Sequence, residues 1–145
     1  MTDSTFATAA TAAVEAYFSM WNEADPARRR EAIAAAWTED VRYLDPMFSA
    51  EGADALDALA VGVHTQFPGY RFRQTGPVDV HHDRARWGWE LVSADGVPYL
   101  AGVDYALLSE DGRLREVTGF FEPAAQQSAA CKAAGTSPDG SASRG

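Results

Sequence analysis

The sequence predicts one α+β domain in which helices fold over a curved antiparallel sheet and enclose a small-molecule pocket. A length of 145 residues is typical of one domain. Apolar residues at helical spacing occupy the first half of the chain, whereas alternating apolar residues separated by Asp-Gly turns occupy the second half. A hydrophobic content of 46% is sufficient for a core of this size.

The charge and the cysteine content argue against several classes of function. A net charge of −9 repels phosphate backbones and anionic lipids, so neither nucleic acid nor a membrane is expected as a partner. The single Cys131 cannot form an internal disulfide, and no Cys/His spacing matches a structural zinc site. Because the sequence has neither a secretory signal pattern nor an apolar run of membrane-spanning length, we expect a cytoplasmic protein.

Apolar spacing predicts three helices in the first half of the chain. The first covers about residues 5–22. The second begins with Asp25 as its N-cap and Pro26 as its first helical residue, and it runs to about Trp37. The third covers about residues 52–67 and ends before a Pro-Gly pair. The short connection between the first two helices favours an antiparallel pair.

Alternating segments predict five strands. They cover residues 41–45, 70–81, 84–93, 97–109 and 113–122. A Gly-Pro pair at 76–77 predicts a bulge within the second of these strands. Asp-Gly pairs at 95–96 and 111–112 predict hairpin turns, so the last three strands form a meander.

The composition changes after Pro123. Residues 124–145 are rich in Ala, Ser, Gln and Gly, and such a segment cannot bury enough apolar surface to offset its ordering entropy. We therefore expect a single domain over residues 1–123 and a disordered polar tail over 124–145, which contains Cys131.

The predicted turns set a strand register, and the register identifies a shared face. A turn centred on 95–96 pairs three residues of one strand with three of the next, all on one face because side chains alternate with period two. These pairs are Trp87 with Asp104, Trp89 with Gly102, and Leu91 with Leu100. Two indoles and two leucines indicate that this face belongs to the core, and Asp104 is the exception on it.

The turns on either side extend this register. A turn centred on 82–83 pairs Val80 with Ala85, Val78 with Trp87, and Asp79 with Arg86, the last as opposite charges on the outer face. A turn centred on 111–112 places Gly119 opposite Asp104, with Val117 and Phe121 on the same face. A one-residue bulge would bring Thr118, Phe120 and Glu122 to that face instead, so both registers stay open for the last strand.

Asp104 has two interpretations. An unpaired buried carboxylate costs several kcal/mol, so its pKa rises or it finds a donor. As a structural strut it would bind a backbone N–H or an arginine. As a functional group it would act as a general base, or as a protonated hydrogen-bond donor, in a dry pocket.

Three further residues are candidates for acid–base chemistry. Asp45 shares a strand face with Val41 and Tyr43, and it is either a general base at the pocket mouth or an Asp-Pro turn initiator. His64 lies beside the apolar stripe of the third helix, either as a proton carrier or as a boundary residue. Tyr17 could present its hydroxyl as a donor.

Aromatic residues at inward positions are predicted to bind substrate. They are Trp21, Tyr43, Phe67, Trp87, Trp89 and Phe121. For Trp21, one helical turn after Tyr17, simple core packing is the alternative. His81 and His82 lie in a predicted turn with no third ligand nearby, so we expect them to be solvated and expect no metal site.

Several segments resemble the nuclear-transport-factor-2-like superfamily, and most closely its SnoaL-like and ketosteroid-isomerase-like small proteins. They are Trp21-Asn22 with Asp25, Trp37-Thr-Glu-Asp-Val-Arg-Tyr-Leu-Asp-Pro46, Gly102-Val-Asp104, Asp111-Gly-Arg113 and Thr118-Gly-Phe-Phe121. The resemblance covers residues 8–122. It implies a cone-shaped α+β barrel, often dimeric through the outer sheet face, in which carboxylates, Tyr and His perform acid–base chemistry without metal or organic cofactor. Asp104 matches a strand position that carries an acid in polyketide cyclases of this type, and Asp45 lies near the base-bearing strand of ketosteroid isomerases.

The sequence departs from the better-defined relatives. It has no clear Tyr-plus-acid oxyanion pair at isomerase spacing, no assignable Arg-Asp-Asp set of an epoxide hydrolase, and only His64 in place of the two pocket histidines of scytalone dehydratase. We expect a cofactor-independent enzyme of the cyclase, isomerase or dehydratase type, acting on a hydrophobic carbonyl-bearing molecule. A non-catalytic ligand-binding domain and a protein-interaction module are the alternatives. A homodimer is expected through an outer face that carries Arg86, Val103, Tyr105 and Phe120.

Overall fold

The computed structural model describes residues 3–122, in which three helices pack on one six-stranded sheet. In chain order the elements are α1 (Asp3–Asn22), α2 (Pro26–Ala36), β1 (Trp37–Leu44), β2 (Ser49–Glu51), α3 (Ala53–Gln66), β3 (Arg71–His81), β4 (Arg84–Val92), β5 (Pro98–Leu108) and β6 (Leu114–Phe121). The predicted tail at 124–145, with Cys131, lies outside the described residues. No helix within residues 3–122 is long and apolar enough to cross a membrane.

The start of α2 follows the predicted capping chemistry. The Asp25 carboxylate accepts a hydrogen bond from the Arg28 backbone N–H at 2.9 Å, and Pro26 occupies the first helical position. The helix ends at Ala36, because Trp37 is extended and begins β1 four residues before the predicted start of that strand. Trp37 continues the apolar stripe of α2, and this continuity accounts for the longer helix that was predicted.

The sheet is curled without closing, and it is mixed rather than purely antiparallel. The strand order is β2-β1-β6-β5-β4-β3, and β1 runs parallel to β6 while the other neighbours are antiparallel. The short strand β2 was not predicted, because three residues are too few for alternation to be recognised. Parallel pairing of β1 with β6 joins the beginning of the sheet to the end of the meander.

The predicted register of the meander is confirmed. Trp87 pairs with Asp104, Trp89 with Gly102, Leu91 with Leu100, Val80 with Ala85, and Asp104 with Gly119. Arg86 pairs with Asp79, and their side chains form an exposed ion pair at 2.9 Å. The predicted pair of Val78 with Trp87 does not form, because a bulge in β3 shifts the register between Thr75 and Asp79.

A buried ion pair joins α2 to α3. Arg29 is 3% exposed, and its Nε donates to Asp57 Oδ1 at 2.6 Å while its Nη1 donates to the Glu23 carbonyl at 2.8 Å. Both partners are needed because an unpaired buried guanidinium is strongly destabilising. The pair therefore fixes the helices that cover the concave face of the sheet.

The opposite face of the sheet exposes two neighbouring aromatic rings. Tyr105 is 45% exposed and Phe120 is 54% exposed, and their ring centroids are 5.8 Å apart. These residues belong to the outer face that the sequence suggested for dimer formation. The homodimer stays a prediction.

Candidate active site

A cavity of about 420 Å³ lies between the helices and the concave face of the sheet. Most of its lining is aromatic or aliphatic, and its size suits a small organic molecule. The polar groups of the lining come from Tyr17, Trp21, Tyr43, Asp45, Gln66, Trp89, Tyr99 and Asp104. Two acids and three phenols thus face an otherwise apolar space.

Asp104 is held in the cavity wall by two neutral donors. It lies on β5 and is 3% exposed. The Tyr17 hydroxyl on α1 donates to its Oδ2 at 2.8 Å, and the Trp89 indole N–H on β4 donates to its Oδ1 at 3.1 Å. Trp89 reaches this carboxylate because it lies on the same face of the neighbouring strand, two residues beyond the direct partner Trp87.

The environment of Asp104 raises its pKa from 3.8 to about 7. Burial is the main cause, because removal from water disfavours the charged carboxylate. The hydrogen bonds from Tyr17 and Trp89 oppose this effect, and the charge of Asp45 adds to it. Asp104 is therefore poised to take up or release a proton near neutral pH.

Asp45 is held at the end of β1 by three donors. Its Oδ1 accepts from the backbone N–H groups of Met47 and Phe48, both at 2.8 Å, and its Oδ2 accepts from the Tyr43 hydroxyl at 2.6 Å. The two backbone contacts are those of an Asx turn, as the turn interpretation of the Asp-Pro pair requires. Asp45 also lines the cavity, so its position in the turn is compatible with a role as general base at the pocket mouth.

Tyr17 and Tyr43 remain protonated over the physiological pH range. Burial raises the pKa of each phenol well above 10.0, and the charge of Asp104 raises both further. Asp45 acts in the same direction on Tyr43, through its charge and the hydrogen bond. Each phenol therefore serves as a hydrogen-bond donor beside a carboxylate.

The parallel pairing of β1 with β6 brings the two acids together. Leu44 pairs with Thr118, which places Asp45 beside Gly119, and Gly119 pairs with Asp104 across β5 and β6. A Cβ atom at position 119 would lie 2.7 Å from Asp104 Oδ1 and 3.4 Å from Asp45 Cβ. The absence of a side chain at Gly119 is what leaves room for the Asp104 carboxylate.

Gly119→Ala is expected to displace Asp104 and to lower both stability and any activity that depends on this carboxylate. The added methyl group overpacks a buried site, at a cost of about 1–3 kcal/mol in the free energy of unfolding. Urea unfolding measures the loss. Gly62→Ala in α3 is the matched control, because nothing beyond the neighbouring backbone of α3 lies within 4 Å of the added carbon, and helix propensity favours Ala by up to about 1 kcal/mol. Equal stability of the two variants would contradict the steric argument.

The remaining predicted site residues divide into two groups. Trp21, Phe67, Trp89 and Phe121 line the cavity together with the residues described above. Trp87 and His64 are not among the lining residues. Trp87 is almost fully buried, and its ring packs against the Tyr17 ring with the two centroids 5.2 Å apart. This contact helps to hold the Tyr17 ring in place.

His64 connects two helices rather than facing the cavity. Its Nε2 donates to the Trp21 carbonyl at 2.6 Å, near the end of α1. This bond satisfies one of the unpaired carbonyls that every helix leaves at its C-terminus. The contact corresponds to the boundary position considered for this residue, and a role in proton transfer stays a prediction.

Several lining residues were not singled out from the sequence. Phe72 on β3 alternates inward and could have been found from its strand pattern. Met47 and Phe48 lie in the connection between β1 and β2, and Gln66 and Tyr99 lie at the ends of α3 and β5. Loop and end positions have no periodicity, so only the folded structure reveals them.

Neither His81 nor His82 approaches the cavity. Both are exposed at the turn between β3 and β4, with their Nδ1 atoms 3.2 Å apart. Within residues 3–122, no three His, Cys, Asp or Glu side chains are arranged to hold a metal ion.

The sequence profile described as a SnoaL-like domain matches residues 14–117, which is most of the chain. The chain belongs to the SnoaL-like family. The structure of a candidate isomerase of this family from Agrobacterium tumefaciens has 36% sequence identity, covers 80% of this chain and 99% of that one, and gives a TM-score of 0.74.

Two further solved structures show the same fold at lower identity. A candidate polyketide cyclase from Sinorhizobium meliloti is 17% identical, with 74% of this chain and 92% of that one covered at a TM-score of 0.58. A candidate SnoaL-like polyketide cyclase from Jannaschia sp. is 21% identical, with 82% and 91% covered at a TM-score of 0.57. No curated protein sequence matches the chain.

Proposed function

We propose that this SnoaL-like protein is a cofactor-independent acid–base enzyme acting on a hydrophobic, carbonyl-bearing small molecule. The observation that carries the proposal is Asp104, a carboxylate buried in the wall of an apolar cavity with a pKa of about 7. A general base is most effective when its pKa lies near the working pH. The likeness to a candidate isomerase supports the same class of chemistry.

Asp104 would remove a proton from the carbon next to the substrate carbonyl. The electron pair of the broken C–H bond moves to the carbonyl oxygen and generates an enolate, while Asp104 becomes a carboxylic acid. Return of the same proton to another atom of the substrate completes an isomerisation. Attack of the enolate carbon on a second carbonyl carbon gives an alkoxide, and transfer of the proton from Asp104 to that alkoxide completes a cyclisation and regenerates the carboxylate. Both outcomes conserve atoms and need no other reactant.

Tyr17 would support this step through its hydroxyl. It donates to Asp104 while the carboxylate is ionised. Once Asp104 carries the proton, its own O–H can donate to the Tyr17 oxygen, and the phenol hydrogen is then free to turn toward the enolate oxygen. A donor aimed at developing negative charge in a water-poor site is a large contributor to catalysis.

The alternative is a ligand-binding domain without turnover. It is favoured by the fact that both oxygens of Asp104 already accept hydrogen bonds, as they would in a structural strut. Proton exchange separates the two functions, because a strut does not exchange protons with carbon.

Incubation of the protein with hydrophobic ketones in D₂O tests the proposal without knowledge of the natural substrate. We expect deuterium to enter the position next to the carbonyl of a bicyclic or tricyclic ketone, 1-tetralone being the first probe, faster than in buffer alone. Mass spectrometry and proton NMR measure the incorporation. Protein inactivated by heat is the control for unspecific base catalysis. Incorporation at the buffer rate across a panel of ketones that are shown to bind would overturn the enzymatic proposal in favour of ligand binding.

A further inference from the structure

The cavity is asymmetric in charge. Among its described lining residues, Asp45 and Asp104 are the charged ones, and none is Lys, Arg or His. Neither acid forms an ion pair with any described residue. The donors that contact the two carboxylates are neutral: phenol hydroxyls, an indole N–H and backbone amides. The cavity therefore contains negative charge without a counterion.

The walls around the acids are suited to positive charge as well. Tyr17, Trp21, Tyr43 and Trp89 all line the cavity. The rings of Trp21 and Tyr43 lie 5.4 Å apart at a steep angle, and Trp21 also contacts Tyr17 at 6.1 Å. Indole and phenol rings attract cations through their π faces, and Trp does so most strongly.

We propose that the cavity binds hydrophobic amines, with the protonated nitrogen near Asp45 and Asp104 and the apolar body against the aromatic walls. The inference rests on the same cavity as the proposed function and names a class of molecule that would occupy it, as substrate or as competitor. An anionic ligand of the same shape would meet two carboxylates and no compensating cation.

The balance of energies favours the ammonium ion over a neutral group of the same shape. Transfer of an ammonium ion out of water is costly, so binding requires compensation within the site. Charge-assisted hydrogen bonds to carboxylates are roughly twice as strong as neutral ones, and a cation–π contact is strongest when the cation is desolvated. A neutral alcohol can form a hydrogen bond to a carboxylate, but it gains neither the ionic contribution to that bond nor a cation–π contact. Both ligands bury the same apolar surface.

Three naphthalene derivatives that differ only in the polar group test the proposal by isothermal titration calorimetry. They are 2-(aminomethyl)naphthalene, 2-(hydroxymethyl)naphthalene and 2-naphthoic acid. At about pH 8 the amine is protonated and the acid is ionised. We expect the amine to bind roughly tenfold more tightly than the alcohol, or better, and the acid to bind more weakly than the alcohol. Equal affinity of the amine and the alcohol would overturn the proposal.

Variants locate the binding site of the cation. Asp45→Asn and Asp104→Asn are each expected to weaken the amine by about tenfold and to leave the alcohol unchanged, because only the ionic contact is lost. The alcohol thereby reports that each variant is folded with its cavity intact, since Asn can still form the turn made by Asp45. Asp79→Asn, which removes an exposed acid from the outer face, is the matched control and should change neither affinity. Equal weakening of the amine and the alcohol would contradict a cation site.

The outcome is independent of the catalytic proposal. Deuterium exchange into neutral ketones without amine selectivity would support the enzymatic proposal and contradict the preference of the cavity for amines. Amine selectivity without exchange would preserve the cation site and leave a binding protein. If both hold, the amine should also inhibit exchange in proportion to its occupancy of the cavity.

Discussion

Asp104→Asn is expected to reduce deuterium exchange into a hydrophobic ketone by about a hundred- to ten-thousandfold, the range typical of a lost general base. The amide has nearly the shape of the carboxylate, and its oxygen can still accept one of the two hydrogen bonds from Tyr17 and Trp89. It cannot accept a proton from carbon. The loss should therefore appear as slower exchange at saturating ketone rather than as weaker binding of the ketone.

Two controls distinguish this loss from a general defect. Asp79→Asn removes an acid from the outer face of the sheet and should exchange at the wild-type rate. The pH profile of the wild-type protein provides the second control. Exchange should rise with pH and level off above about 7, because only the ionised form of Asp104 removes a proton. Retention of most of the exchange in Asp104→Asn would exclude this residue as the base.

The second large effect concerns stability as a function of pH. The ordinary pKa of an aspartate, 3.8, applies to Asp104 in the unfolded chain, whereas its pKa is about 7 in the folded protein. Between these values the unfolded chain carries an ionised Asp104 while the folded chain holds the proton, so raising the pH favours unfolding. The stabilisation from this group is complete below about pH 4 and is lost by about pH 7. About three pKa units correspond to roughly 4 kcal/mol.

Urea unfolding of the wild type and of Asp104→Asn from about pH 4 to about pH 8 measures this effect. The sequence contains 21 acidic residues, but the carboxylates remote from Asp104 contribute equally to both proteins and cancel in the difference. We expect the variant to gain roughly 4 kcal/mol relative to the wild type across the range, with the change complete near pH 7. Parallel stability curves would mean that Asp104 is ionised with equal ease in the folded and unfolded chains.

The two results together would show what kind of residue Asp104 is. A structural strut should stabilise the protein in its working state, and its removal should cost stability at neutral pH. A catalytic carboxylate held in an apolar cavity lowers the free energy of unfolding at neutral pH. Its replacement should therefore stabilise the protein while greatly slowing turnover. Trade-offs of this kind are typical of active sites.

Local chemistry made the meander predictable. The Asp-Gly pair at 95–96 fixes a tight turn, and a tight turn fixes which residues face each other in the two strands that it joins. The pairing of Trp87 with Asp104 was predicted from that turn, although the hairpin closes with a hydrogen bond from the Ser93 N–H to the Val97 carbonyl and the register shifts between Leu91 and Val92. The N-cap of α2 is predictable for the same reason, since Asp25 and its donor Arg28 are three residues apart.

The approach of Asp45 to Asp104 could not be predicted in this way. It depends on the parallel pairing of Leu44 with Thr118, two residues that no turn connects. Parallel strands need a long crossover, and nothing in the local sequence of either strand specifies the partner. The contact between His64 and the end of α1 is similar, because 43 positions separate the two residues.

The sequence by itself determined the fold class, the order of the helices and meander strands, and the presence of a carboxylate on an apolar face, because periodicity, capping and turns act over a few residues. Tertiary structure alone decided that β1 joins β6, that Gly119 leaves space between two acids, and that Asp104 receives neutral donors and no cation. These features determine the charge and proton affinity of the cavity. They arise from contacts between residues far apart in the chain, where burial and neighbouring charge, rather than residue type, set the chemistry of a carboxylate.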